Sequence, residues 1–300
     1  MQSVRIRVPA TTANLGPGFD TFGCALARYN TVTFTRLPEG QLAFENVLPE
    51  FCQEDNLAVR SFRHAEMALG LAPTGLRVRI DADIPVSSGL GSSATMIVAG
   101  VTAAFLLGNH PYDLWEILRL ATQLEGHPDN VAPAIYGGLT VSTMTEDGPL
   151  SVPFPVHDSV RFLVLLPDYR LSTQVSRSVL PTSLSYADAV FNISHAAILT
   201  RALAEGDASM IRLALRDRLH EPYRSPLIHD FEALREAALR AGCCGFCLSG
   251  AGPTCLAMTC EADSENRLAE LLPSVSPHYT VCAMAVDRTG LHYEASDSSD

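Results

Sequence analysis

The stretch PVSSGLGSSATM, residues 85–96, runs without a break into the apolar segment IVAGVTAAFLLG. An alternating stretch, GLRVRIDADI (75–84), reads as a strand leading into it, and the apolar spacing of Met96, Ile97, Val101, Ala104 and Phe105 predicts a helix to about Leu107, capped by Ser92 or Ser93. The chain must therefore turn at Gly89 and Gly91 and start a helix at once. The first amides of a helix have no internal partners, and the helix dipole adds positive potential there. Glycines let a ligand approach the backbone without Cβ obstruction, and Ser92 and Ser93 add hydroxyls. Two readings stay open for this stretch: an ordinary strand-to-helix turn, or a cradle for an anion. It matches neither GxxxxGK[ST] nor GxGxxG.

An anion bound here is held without lysine. All 21 basic residues are arginine, which excludes a Schiff-base lysine, a lysine general base and a Walker-type phosphate lysine. The net charge of −12 argues against nucleic acid as a main partner. With 300 residues, 47% apolar and 18% charged, the chain has a globular composition sufficient for one large or two ordinary domains.

The remaining elements read as α+β in two lobes. Strands are expected at 4–8, 30–37 and 137–144, and helices at 55–70, opening on an Asp cap, and at 111–126. The Pro-rich stretch 145–158 reads as a connection, which divides the chain into 1–152 and 153–300. After a buried strand at 161–167 come helical regions at 185–206 and 207–219. The order α-β-β-α-β over 230–286 is that of a split βαβ plait. The acidic end EASDSSD reads as frayed. Eight cysteines include Cys244 and Cys247 as a CxxC, but no second pair completes a zinc set, so reduced, mostly buried thiols and a cytoplasmic location are expected. The N-terminus has no signal-peptide pattern, and the longest apolar stretch, 94–108, is too short to span a membrane.

Three further stretches carry polar residues that solubility does not require. PATTANLGPGFDTFGCAL (9–26) holds Asn14 and Asp20. LEGHPDNVAPAIYGG (124–138) holds Glu125, His127, Asp129 and Asn130 at a break between two helices. FCLSGAGPTCLAM (246–258) is a second Gly-rich turn. Taken singly, each is equally a set of turn formers and caps.

Together and in this order, these stretches resemble the motifs of the GHMP small-molecule kinases, and most of all the branch that acts on homoserine. The likeness spans roughly residues 4–260. It implies an N-terminal GHMP kinase lobe of ribosomal S5 domain 2-like fold, a C-terminal ferredoxin-like plait, a homodimer, and Mg²⁺-assisted transfer of a phosphoryl group from ATP to L-homoserine. By that resemblance, Pro85, Val86, Ser87, Ser88, Gly89, Leu90, Gly91, Ser92, Ser93, Ala94 and Thr95 wrap the triphosphate. Ser92 or Ser93 with Glu125 coordinates the metal, and Asn56 lies near the adenine. Asn14, Asp20 and His127 face homoserine. Arg177, in STQVSRSVLP, and Arg224, in LHEPYR, bind its carboxylate. Gly250 and Gly252 close the substrate side. Asn130 stands where related kinases carry an Asp, and an amide cannot take a proton. The expectation is therefore a reaction without a dedicated side-chain base, with Asp20 as the competing candidate. A non-catalytic sensor of the same fold is disfavoured, because Glu125 and GLGSSA are both intact.

Overall fold

A computed structural model of the chain describes residues 1–86 and 88–297; Ser87, named above for the phosphate loop, lies outside the described residues. Strand β1 (Ser3–Ala13) buries Ile6 and Val8 and exposes Arg5 and Arg7, the alternation of a sheet with one wet face. It pairs antiparallel with β2 (Phe22–Leu37), with a register shift between Pro9 and Ala10. Strand β3 (Leu42–Glu45) lies parallel to β4 (Gly75–Ala82), which pairs antiparallel with β2.

Four helices cover this sheet: α1 (Leu57–Ala68), α2 (Ser92–Leu107), α3 (Leu114–Glu125) and α4 (Val131–Tyr136). Helix α2, apolar as the sequence reads, is buried on nearly every side from Ala94 to Leu107, because α1, α3 and the sheet enclose it. Its cap differs from the expected one. Gly91 is the N-cap, at φ 65°, with no side chain capping it, and Ser92 and Ser93 are already helical. Helix α1 is capped by Asn56 rather than Asp55, with the Ala58 amide donating to Asn56 Oδ1 at 3.0 Å.

The stretch expected as a connection carries a strand. Strand β5 (Leu139–Thr145) pairs with the start of β2 and forms a hairpin with β6 (Gly148–Phe154). Next, β7 (Arg161–Pro167) begins a second sheet with β8 (Gly245–Leu248), β9 (Cys255–Thr259) and β10 (Tyr279–Met284), all antiparallel in the order β10-β7-β9-β8. With α9 (Phe231–Arg240) and α10 (Ser264–Val275) on one face, this is the expected plait. Between β7 and α9 the chain inserts α5 (Thr173–Ser178), α6 (Tyr186–Glu205), α7 (Ala208–Ala214) and α8 (Glu221–Arg224). The start of the end read as frayed, Glu294–Ser296, instead completes β11 (His292–Ser296), which returns to the first sheet and pairs with β1; residues 298–300 lie outside the described residues.

The second sheet's other face shares one core with α6, α7 and the lower half of the first lobe, where Leu15, Phe22 and Leu90 pack with Phe162, Leu203 and Met258. The two lobes are thus joined by buried apolar surface, and the loops at their seam are held from both sides. All eight cysteines are free, five of them buried. Among the described residues no helix is long and apolar enough to cross a membrane.

Candidate active site

At the seam a cavity of about 850 Å³ opens between the loop after β1, the start of α2, the α3–α4 junction and three segments of the second lobe. The loop after β1 is bent by two polar residues in the left-handed region, Asn14 at φ 72° and Asp20 at φ 53°. Asn and Asp tolerate that conformation better than other side chains. Asn14 Oδ1 accepts from the Asp20 amide at 2.9 Å, and its Nδ2 donates to the Gly250 carbonyl at 2.8 Å. The same amide side chain therefore shapes the loop and fastens it to the second lobe.

Arg177, on α5, donates to both oxygens of Asp20, at 2.7 and 3.1 Å, a bidentate pair. Arg224 is 1% exposed. Its Nε donates to the Ser176 carbonyl at 3.1 Å and its Nη1 to the Gly250 carbonyl at 3.3 Å. Burial, and then the charge of Arg177, bring its pKa down to about 10, so it stays a cation at neutral pH.

On the facing side, Ser93 Oγ donates to Glu125 Oε1 at 3.0 Å, and burial raises the Glu125 pKa. His127 Nδ1 lies 2.5 Å from Asp129 Oδ1. Burial pulls the imidazole pKa down, but the carboxylates of Asp129 and Asp20 outweigh it and the net shift is upward. Asp20, His127 and Asp129 have ligating atoms within 4.8 Å of one another, and the two carboxylates among them are acceptors for an ammonium group. Asn130 Oδ1 accepts from Thr11 Oγ1 at 2.8 Å.

The glycines of the turn serve the protein before they serve a ligand. A Cβ on Gly91, at φ 65°, would lie 1.9 Å from Thr11 Oγ1, and one on Gly89, at φ 88°, 2.6 Å from the Ser249 carbonyl. The residues that would let a ligand approach the backbone are already required by β1 and the second lobe. Ser249 Oγ donates to the Gly89 carbonyl at 2.6 Å, and the Thr254 amide donates to the Ser88 carbonyl at 3.1 Å. The second Gly-rich turn is thus a brace behind the first.

Of the expected residues, Asn14, Asp20, Asn56, Val86, Ser88, Gly89, Gly91, Ser92, Ser93, Glu125, His127, Asn130, Arg177, Arg224 and Gly250 line the cavity. Pro85, Leu90, Ala94, Thr95 and Gly252 do not. Leu90 and Ala94 are fully buried core residues, and Thr95 Oγ1 donates to the Ser92 carbonyl and accepts from Asn30. Asn56 reaches the cavity wall, but its side chain is spent on capping α1 and on the Phe51 carbonyl at 3.0 Å. Sequence reasoning missed the apolar end of the cavity, formed by Val47, Leu48, Phe51, Ile80 and Met96. In the sequence Leu48 and Phe51 are large apolar residues in the polar segment between β3 and α1; their exposure, 60% and 42%, is visible only in the structure.

Residues 56–138 match the GHMP kinases N terminal domain and residues 199–277 the GHMP kinases C terminal domain. A homoserine kinase of Microchaete diplosiphon is 43% identical over 270 residues, 89% of this chain and 87% of its own. One from Clostridium botulinum (strain ATCC 19397 / Type A) is 39% identical over 289 residues, 96% of this chain and 97% of its own. Among solved structures, a homoserine kinase from Cytophaga hutchinsonii superposes with a TM-score of 0.87 at 27% identity, covering 98% of each chain.

Proposed function

This chain belongs to the GHMP kinases, and within them to the homoserine kinases, and from that premise we infer that it transfers the γ-phosphoryl group of ATP to the side-chain hydroxyl of L-homoserine. The observation that carries the substrate assignment is the charge pattern of one end of the cavity. The arginines Arg177 and Arg224 stand beside the carboxylates of Asp20 and Asp129. A zwitterionic amino acid has one group for each, and two guanidiniums suit its carboxylate. The uncapped start of α2 supplies amides for the triphosphate. The apolar end, with Phe51 and Met96, suits a flat base.

A divalent cation fits the residues present. The Ser93 hydroxyl and the Glu125 carboxylate are hard oxygen donors already in contact beside the α2 start. They would hold Mg²⁺, which on binding supplies charge neutralisation for the phosphates. The hydroxyl oxygen of homoserine bonds to the γ-phosphorus, the bond from phosphorus to the β–γ bridging oxygen breaks, and ADP leaves with the electron pair. We assign the hydroxyl proton to a γ-phosphoryl oxygen rather than to a side chain. Both oxygens of Asp20 are occupied by Arg177, Asn130 cannot accept a proton, and the carboxylates around His127 favour its protonated form. In this scheme the protein aligns and neutralises, which is what a loose phosphoryl-transfer state asks of it. The same reading includes a cytoplasmic homodimer. The free thiols support the compartment, and sedimentation measures the oligomer.

ADP release measured against homoserine and a panel of other small alcohols tests the assignment. Homoserine should give the highest kcat/KM; a higher value for another alcohol, or no ADP release with homoserine, rejects it.

A further inference from the structure

His220 is a polar side chain with no exposure at all, set just outside the cavity behind Arg224. Both of its ring nitrogens are engaged. Nε2 lies 2.9 Å from the Gly16 carbonyl, in the loop that ends at Asp20, and Nδ1 lies 3.4 Å from Arg224 Nη1. A carbonyl only accepts and a guanidinium only donates, so both contacts demand the same form: a neutral ring with hydrogen on Nε2 and a lone pair on Nδ1. The ring is held flat against Phe19, with centroids 5.2 Å apart, and Phe19 also lies under Arg224, 5.2 Å from ring centroid to guanidinium. The backbone of His220 is fixed in turn, its amide donating to the buried Asp217 at 2.8 Å.

We infer that His220 is a positioning residue for the phosphoryl-transfer reaction: its neutral imidazole, oriented by the Gly16 carbonyl, presents Nδ1 as the acceptor that sets where the guanidinium of Arg224 meets the substrate carboxylate. This inference rests on the homoserine reading above. The geometry asks for more than a plug of the right volume. A buried phenyl would fill the space and stack on Phe19, but it would leave the Gly16 carbonyl and one Arg224 N–H without partners. Three charged groups act on the ring: Asp217, 3.8 Å from Nε2, Arg224, and Asp20 at longer range. Burial and Arg224 oppose a proton and the two carboxylates favour one; the net direction is downward, in line with the neutral form that the hydrogen bonds require.

The test compares His220→Phe, His220→Asn and His220→Gln, with melting temperature recorded for each. Asn places an oxygen where Nδ1 stands and keeps the acceptor for Arg224. Gln places its nitrogen where Nε2 stands and keeps only the Gly16 contact. We expect His220→Phe and His220→Gln to raise the homoserine KM at least tenfold, with the ATP KM within twofold of wild type, and His220→Asn to stay within threefold for both. His220→Phe added to Arg224→Ala should change the homoserine KM less than twofold beyond Arg224→Ala alone. Equal effects of Asn and Gln, equal rises in both KM values, or multiplicative effects in the double variant overturn the inference. Should wild type fail to turn over homoserine, the functional reading falls, and the inference is read from the imidazole itself by long-range 1H–15N correlation. An Nε2–H ring whose nitrogen shifts move in Arg224→Ala upholds the link; an Nδ1–H ring, or shifts unmoved by that change, overturns it.

Discussion

At Gly91 the backbone sits at φ 65° and a methyl group would lie 1.9 Å from Thr11 Oγ1. Gly91→Ala therefore meets two costs, a left-handed backbone of about 1–3 kcal/mol and a clash that must push the α2 start away from β1. We expect the ATP KM to rise at least tenfold and the melting temperature to fall by several degrees, read by steady-state kinetics and calorimetry. Asp20 is held in a bidentate pair with Arg177. Removing its charge costs about 1.5–3 kcal/mol of charge-assisted bonding. Asp20→Asn should thus raise the homoserine KM by roughly tenfold to hundredfold while kcat stays within about tenfold. A kcat loss of several orders of magnitude would make Asp20 the base. At this scale the sequence was informative about identity and silent about partnership. Asn14, Asp20 and Glu125 stand out as polar residues in turns, but nothing in a linear string says that Asp20 and Arg177, 157 positions apart, share two hydrogen bonds.

The start of α2 and the end of α3 form the next unit, joined by the Ser93–Glu125 contact. Burial raises the Glu125 pKa, and a metal ligand must be the carboxylate. As pH falls, protons therefore compete for Glu125 at a higher pH than for an ordinary carboxylate. The Mg²⁺ concentration for half-maximal activity should rise below neutrality, and Glu125→Gln should flatten that dependence while weakening Mg²⁺ activation throughout. The stability sign follows from the same shift. The folded state keeps this proton to a higher pH than the unfolded one, so the contribution of Glu125 is fully present below the ordinary carboxylate value. It is lost as pH rises through the raised one. Melting temperatures of wild type and Glu125→Gln across that window check it. The helices themselves were legible, because α2 is a long apolar run between glycines. Its cap was not: Ser92 and Ser93 read as caps by residue type, yet Gly91, in the left-handed region at φ 65°, takes that place and leaves the serines lining the cavity.

Across the whole molecule, the site exists because the two lobes share a core and exchange backbone hydrogen bonds at their seam. Ser249 reaches from the second lobe to the Gly89 carbonyl just before α2. Ser249→Ala should raise the KM values of ATP and homoserine together by about threefold to tenfold, as expected for the loss of about 1 kcal/mol of bonding shared by both subsites. Strand β11 closes the edge of the first sheet along Ser3–Arg7 of β1. Removing residues 292–300 would bare that edge, and we expect a lower melting temperature and concentration-dependent aggregation by light scattering. The alternation of strands and helices, the plait, the glycine-rich turn into α2 and the absence of any lysine chemistry are legible in the chain alone, because these are properties of neighbouring residues and of composition. Packing in three dimensions set the return of β11, the burial of Leu90 and Ala94, and the pairing of Asp20 with Arg177. Each of these depends on which distant segment arrives alongside, and that is fixed by packing two sheets through one apolar core rather than by any local preference of the chain.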